Sequence, residues 1–148
     1  MNRDFVEMLS ALSAAGADYI VVGAHALAAH GVPRATGDLD LWVRPTPENA
    51  ARVLTALRAF GAPLQDLSAA DLTSSETVFQ IGVPPNRIDL LTSITGVSFD
   101  EAWPHRQGVP IGALTVPVLG REDLVRNKRA LGRPRDLVDL ASLEDADA

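Results

Sequence analysis

Apolar residues follow two different spacings along the chain, and each spacing predicts a type of secondary structure. Residues 5–14 place Phe5, Met8, Leu9 and Leu12 at helical intervals. Short apolar or β-branched runs predict strands at residues 18–23, 38–43, 77–82, 86–91 and 114–119. Caps, stops and helical spacing predict further helices at residues 24–30, 47–60, 69–72, 99–103, 121–131 and 134–143. The order of these elements predicts an α+β fold in which helices pack on a sheet.

Length and composition indicate one globular domain. The chain has 148 residues, of which 47% are hydrophobic and 22% charged, as is ordinary for a globular domain. No repeat of fixed period and no low-complexity linker divides it. We therefore expect a single domain over residues 1–148, with a core at about 18–95 and a helical C-terminal part at about 120–145. The absence of cysteine excludes a disulfide scaffold, a thiolate zinc site and a cysteine nucleophile.

Charge and hydropathy narrow the range of partners. The formal net charge is −6, so we expect no long nucleic acid as a partner. The apolar runs are shorter than the ~20 residues needed to cross a bilayer, and no signal-peptide core follows Met1. We therefore expect a cytoplasmic protein without a membrane partner. Basic residues nevertheless cluster between Arg121 and Arg135, where Lys128 is the only lysine of the chain.

Three aspartates interrupt two of the predicted strands. Asp38 and Asp40 are separated by one residue, so a strand places both carboxylates on one face. Two such carboxylates repel each other unless a cation holds them, and Mg²⁺ is the natural candidate. If the two strands are neighbours, Asp89 would complete a site for two Mg²⁺ ions about 3.5–4 Å apart. The alternative for the first pair is a turn aspartate beside a solvated one.

Gly23 stands where a predicted strand ends and a helix begins. A glycine at this junction lets a phosphate approach the backbone and the positive end of the helix. No G-x-G-x-x-G follows the strand, which disfavours a dinucleotide-binding domain. Trp42 shares the face of the carboxylates, so we expect it to line the same pocket, whereas we expect Phe99 and Trp103 in the core.

The order and spacing of these residues resemble the DNA polymerase beta-like nucleotidyltransferases. The motifs that carry the resemblance are Gly23-Ala24, Asp38-Leu39-Asp40 and Asp89. The longer run from Gly23 to Asp40, with the late segment 128–140, is similar to a small prokaryotic branch related to abortive-infection and toxin-antitoxin nucleotidyltransferases. The resemblance covers about residues 18–143 and implies a mixed sheet flanked by helices, with helices at the C-terminal end. It also implies that Mg²⁺ on the three aspartates aligns an NTP, whose NMP passes to an acceptor.

The resemblance assigns further residues to the nucleotide. Lys128 and Arg135 would neutralise the triphosphate, the first as a point charge and the second as a fork, with solvated helix charge as the alternative. Arg34 and Thr36 would contact phosphate or shape the loop before the aspartates. His25 would contact the nucleotide, with packing against its neighbours or helix capping as the alternatives.

Ala24 stands where the resembling family usually has glycine or serine. It leaves only backbone donors for a phosphate, which keeps open a nucleotide-binding or antitoxin-like interaction module with weak or no catalysis. For an active enzyme, the acceptor would be a partner protein, a tRNA end or a small molecule such as an aminoglycoside. Asp136 and Asp139 lie near the start of the last predicted helix, where we expect them to cap it.

Overall fold

The computed structural model describes residues 1–33 and 37–147, and most of its elements lie where the sequence predicts them. The strands are β1 Tyr19–Val22, β2 Leu39–Val43, β3 Val78–Ile81, β4 Ile88–Leu91, β5 Gln107–Ile111 and β6 Leu114–Val118. The helices are α1 Arg3–Ala14, α2 Gly23–Ala29, α3 Pro47–Phe60, α4 Phe99–Ala102, α5 Arg121–Leu131 and α6 Pro134–Asp147. Two short 3₁₀ turns occupy Asp71–Thr73 and Trp103–His105.

The strands of the described residues form a mixed sheet in the order β3-β4-β2-β1-β6-β5. β2 is parallel to β4 and β1 is parallel to β6, while the other neighbours are antiparallel. Helices α1 and α3 pack against each other, and so do α5 and α6 at the C-terminal end. This architecture confirms the predicted α+β class. None of the helices described is long and apolar enough to span a membrane.

The central strand β2 is covered on both faces. Leu39, Leu41 and Val43 are fully buried, as the alternation predicts. Trp42 is buried as well, and it packs edge-on against Phe99 with 5.1 Å between the ring centroids. The expectation that Trp42 lines the pocket is therefore wrong, because this side chain belongs to the core and is absent from the cavity wall described below.

The sequence pattern missed β5 and misjudged one helix. Gly108 and Pro110 lower the strand propensity of β5, which pairs with β6 at the edge of the sheet. An edge strand tolerates a proline, which lacks a donor for the ladder. β5 and β6 both lie beyond residues 18–95, the range predicted for the core of the domain. The helix predicted at 69–72 is the 3₁₀ turn Asp71–Thr73.

Candidate active site

The three aspartates converge at one end of the sheet. In the parallel pair β2–β4, Asp40 lies opposite Asp89, and in the antiparallel pair β1–β2 it lies opposite Val22. Asp38 directly precedes β2, and its Oδ1 accepts a hydrogen bond of 3.0 Å from the backbone N–H of Arg87. The neighbouring strands that the sequence prediction required are therefore present. We call Asp38, Asp40 and Asp89 the acidic end of the site.

Asp40 is the carboxylate most affected by this crowding. Burial and, after it, the charges of Asp89 and Asp38 raise the pKa of Asp40 to about 6, although Arg87 opposes the shift. A hydrogen bond with Asp89, which needs a proton on one of the two carboxyl groups, also raises this pKa. Because nearby negative charge disfavours the ionised form, an added cation would stabilise it. The acidic end therefore favours a positively charged ligand.

Arg87 supplies positive charge to the acidic end. Its Nε donates to Oδ1 of Asp89 at 2.7 Å, and its Nη2 donates to Oδ2 of Asp89 at 3.0 Å. Nη2 also lies 3.3 Å from Oδ2 of Asp38. Sequence reasoning missed this arginine as a site residue. The spacing Arg87-x-Asp89 could have indicated it, since residues two apart on a strand share a face.

The donor set of the acidic end fits Mg²⁺, on one condition. Carboxylates on neighbouring strands provide the hard oxygen ligands that this ion prefers. Within residues 1–33 and 37–147, no three acidic or imidazole side chains are arranged as a ready metal site. At the acidic end, oxygens of Asp38 and Asp89 are directed at Arg87 instead. The condition is that Mg²⁺ would compete with the guanidinium for these oxygens.

Gly23 is needed both for the backbone turn and for the acidic end. It begins α2 directly after β1 with φ at +70°, in the left-handed region that favours glycine. A Cβ at this position would collide with Oδ2 of Asp40 and would lie 3.2 Å from its carboxyl carbon. Sequence reasoning gave the glycine the task of admitting a phosphate. In the structure, the missing side chain makes room for Asp40, and the phosphate contact stays a prediction.

A cavity of about 550 Å³ lies between helices α5 and α6 and Asp40, whereas Asp38 and Asp89 are not part of its lining. Near the acidic end it is lined by Gly23, Ala24 and Asp40, and on the helical side by Lys128, Arg133, Arg135 and Asp139. Neutral polar groups come from Ser93, Thr95 and Asn127, which sequence reasoning did not single out. The fold thus brings predicted site residues from both ends of the sequence to one cavity.

Lys128 is the buried cation of the helical side. Its side-chain nitrogen lies 3.1 Å from Oδ2 of Asp139 and 3.4 Å from Oδ1 of Asp136. Since Lys128 is only 9% exposed, the alternative of a solvated helix charge is wrong.

Asp136 combines the predicted capping role with ion pairing. It accepts a hydrogen bond of 3.1 Å from the backbone N–H of Arg133, at the start of α6. The Arg133 side chain also donates to it through Nε at 2.6 Å, and these contacts hold the pKa of Asp136 at about 2. Asp139, by contrast, pairs with Lys128. Sequence reasoning did not foresee the ion pairs of Lys128, because they join residues of α5 and α6.

The remaining predicted nucleotide contacts are His25, Arg34 and Thr36. His25 lines a separate cavity of about 210 Å³ and contacts the ring of Phe5 edge-on, with 5.6 Å between the centroids. Burial lowers the pKa of His25, which agrees with its packing alternative. Arg34 and Thr36 lie outside the described residues.

Comparison with known proteins identifies the fold. No protein-family model matches the chain, and no curated protein matches its sequence. The structure is similar to the crystal structure of TM1012 from Thermotoga maritima, a proposed nucleotidyltransferase. The TM-score is 0.62 at 16% sequence identity, over 97% of this chain and 91% of that one. The chain therefore has a nucleotidyltransferase-like fold, as predicted.

Proposed function

We propose that the chain is a Mg²⁺-dependent nucleotidyltransferase that moves an NMP from an NTP to an acceptor. The observation that carries this proposal is one cavity with Asp40 of the acidic end on one side and Lys128, Arg133 and Arg135 on the other. An NTP needs both, because carboxylates hold the metal near its reacting phosphate and basic groups neutralise the remaining phosphates. The likeness to a proposed nucleotidyltransferase of Thermotoga maritima supports the same class of activity.

The proposed reaction joins the acceptor to the α-phosphate. An acceptor oxygen forms a bond to the α-phosphorus, and the bond from that phosphorus to the bridging oxygen breaks, so that pyrophosphate leaves with the electron pair. We assign Asp89 as the base that takes the proton of the acceptor. Two Mg²⁺ ions held by Asp38, Asp40 and Asp89 would stabilise the charge that develops on the attacking and leaving oxygens.

Lys128 and Arg135 are the proposed phosphate contacts on the helical side. The ion pairs of Lys128 with Asp136 and Asp139 fix its position before a nucleotide arrives, which lowers the entropy lost on binding. At the other side of the cavity, Gly23 and Ala24 offer backbone donors. Contacts from His25, Arg34 and Thr36 are proposed from the family resemblance.

The proposed acceptor is a partner protein, a tRNA end or a small molecule. A net charge of −6 disfavours a long nucleic acid. A role in a toxin-antitoxin system and a cytoplasmic location are proposed on the resemblance and the sequence pattern.

A second candidate function is nucleotide binding without transfer, in an interaction module. Ala24 favours it, because this residue lines the cavity with a methyl group where the resembling family has glycine or a serine hydroxyl. Arg87 favours it too, because a guanidinium contacts two of the three carboxylates that an active enzyme needs for metal.

The two functions differ in what happens to an NTP. The protein is incubated with Mg²⁺, a cell lysate and NTPs radiolabelled at either the α- or the γ-phosphate. Transfer labels an acceptor from the α-labelled nucleotide alone and releases pyrophosphate, and Asp89→Asn abolishes both. Asp66→Asn, which removes a carboxylate from a loop outside the cavity, retains both. A raised melting temperature with Mg²⁺ and NTP, without label or pyrophosphate, supports the binding module.

A further inference from the structure

The acidic end already holds one cationic group of the chain itself. Arg87 contacts both oxygens of Asp89 and one oxygen of Asp38, all within 3.3 Å. We propose that Arg87 is a built-in counter-ion that competes with divalent cations for these carboxylates and thereby sets how tightly the site binds metal. The inference rests on the proposed function, because it takes the acidic end as the metal-binding site.

Arg87 and a divalent cation would compete because both would bind the same carboxylate oxygens. A planar fork that donates to both oxygens of Asp89 leaves fewer lone pairs directed at a metal ion. The same group neutralises one of the negative charges that attract the ion. A divalent cation that uses Asp38 and Asp89 therefore displaces Arg87 from at least part of its contacts.

The geometry allows the guanidinium to leave without dismantling the site. The Arg87 side chain is 26% exposed, so it has access to solvent. Its backbone N–H holds Oδ1 of Asp38 at 3.0 Å, and its carbonyl accepts from the N–H of Leu39 at 2.9 Å. These backbone bonds do not depend on the side chain. Asp38 and the pairing of β2 with β4 therefore stay in place when the guanidinium moves.

Arg44, which directly follows β2, provides a matched control. It bridges Asp18 and Asp100 at the opposite end of β2, and its side chain is 20% exposed, close to the value for Arg87. It does not line the cavity that contains Asp40. Removal of its charge tests the general cost of losing a bridging arginine without touching the acidic end.

The test measures Mn²⁺ binding by electron paramagnetic resonance, on the full chain, with and without NTP. Without nucleotide, Arg87→Gln should bind Mn²⁺ about tenfold more tightly than the parent, equivalent to about 1.4 kcal/mol. Arg87→Lys should fall between the two, because lysine keeps the charge and loses the fork. Arg44→Gln should bind Mn²⁺ as the parent does. In EDTA, Arg87→Gln should melt at a lower temperature than the parent, and Mn²⁺ should raise its melting temperature more.

Other results would overturn the inference. Suppose that the parent binds Mn²⁺ and that a folded Arg87→Gln binds it equally well or more weakly. This result overturns the inference about Arg87 and leaves the proposed function standing. If neither the parent nor any variant binds Mn²⁺, with or without NTP, the inference and the metal dependence fall together. If Arg87→Gln does not fold, the Mn²⁺ affinity of Arg87→Lys tests the inference instead. Tighter Mn²⁺ binding than in the parent supports the inference, and equal or weaker binding overturns it.

Discussion

An arginine that bridges two aspartates lies beside each end of β2. The two clusters, one around Arg44 and one around Arg87, differ in their surroundings. After the strand, Arg44 pairs with Asp18 at 2.8 Å and with Asp100, and it lies over the rings of Phe99 and Trp103. The two aspartate side chains are 31% and 88% exposed, so water solvates the charge that Arg44 leaves unbalanced. This cluster stabilises the fold and needs no ligand.

The cluster beside the start of β2 is more buried and more negative. The side chains of Asp38 and Asp89, which Arg87 bridges, are only 20% and 10% exposed. Asp40 adds a third carboxylate, whose pKa is raised to about 6. Water cannot solvate this excess charge as it does around Arg44. The comparison teaches that burial and a third carboxylate, rather than the arginine bridge itself, make a cluster suited to a cation.

Removing a carboxylate should have the most different effects on NMP transfer in the two clusters. Asp38→Asn and Asp40→Asn should each reduce NMP transfer to background, because each removes a proposed metal ligand, while the fold stays intact. The melting temperature of Asp40→Asn should hold or rise, since the substitution relieves repulsion. Asp18→Asn, in the Arg44 cluster, should retain transfer. Loss of folding in both site variants, with no effect of Mg²⁺ on the parent, would make these carboxylates structural.

A methyl group on Gly23 should disturb the acidic end through Asp40. Gly61→Ala is the control, because Gly61 has φ at +93° but open space where its Cβ would lie. Both substitutions should cost roughly 1–2 kcal/mol of unfolding free energy for the left-handed backbone. Only Gly23→Ala should also displace Asp40 and lower the transfer rate about a hundredfold. Equal rates in the two variants, measured at a temperature where both are folded, would contradict this account.

Lys128 should contribute more to NTP binding than Arg129, its neighbour on α5. Lys128→Ala should weaken NTP binding roughly tenfold to a hundredfold, since it removes a charge-assisted contact, whereas Arg129→Ala should change little. Lys128→Ala should also lower the unfolding free energy by about 3–5 kcal/mol, because Asp136 and Asp139 lose a buried partner. Titration at fixed ionic strength measures the Kd. Small and equal changes from both substitutions would remove Lys128 from the proposed site.

The pH dependence of stability should show the crowding at Asp40 without any ligand. The pKa of Asp40 is raised from 3.8 to about 6, so the folded state binds this proton more tightly than the unfolded state. Its contribution to the unfolding free energy should therefore fall as the pH rises from about 4 to 6, by roughly 2–3 kcal/mol. Denaturant titrations of the parent and of Asp40→Asn, in EDTA at a series of pH values, measure this change in the unfolding free energy. The stability of the variant relative to the parent should rise between about pH 4 and 6 and level off above that, and parallel profiles would contradict the shift.

Local pattern was enough to predict the fold class and to single out the three aspartates, but it made their meeting conditional on neighbouring strands. Period-two alternation places Asp38 and Asp40 on one face, and the apolar run around Asp89 identifies a second strand that proves to be the parallel neighbour. Gly23 was predicted at the right junction, but the reason for a glycine there, the approach of Asp40, depends on the pairing of β1 with β2.

Tertiary contacts explain what the sequence could not show. Arg87 looks like any strand-flanking arginine until β2 and β4 are paired and two carboxylates face it. Lys128 acquires its ion pairs only when α6 packs on α5. β5 has a weak strand pattern and depends on β6 for its hydrogen bonds.

A structure of the protein with Mg²⁺ and a non-hydrolysable NTP tests the central claim most directly. We expect a cation bound by oxygens of Asp38, Asp40 and Asp89, with the triphosphate between the acidic end and Lys128. We also expect the Arg87 guanidinium to have moved away from Asp38 and Asp89. Nucleotide bound elsewhere, with Arg87 still bridging the two aspartates and no cation at the acidic end, would contradict the claim.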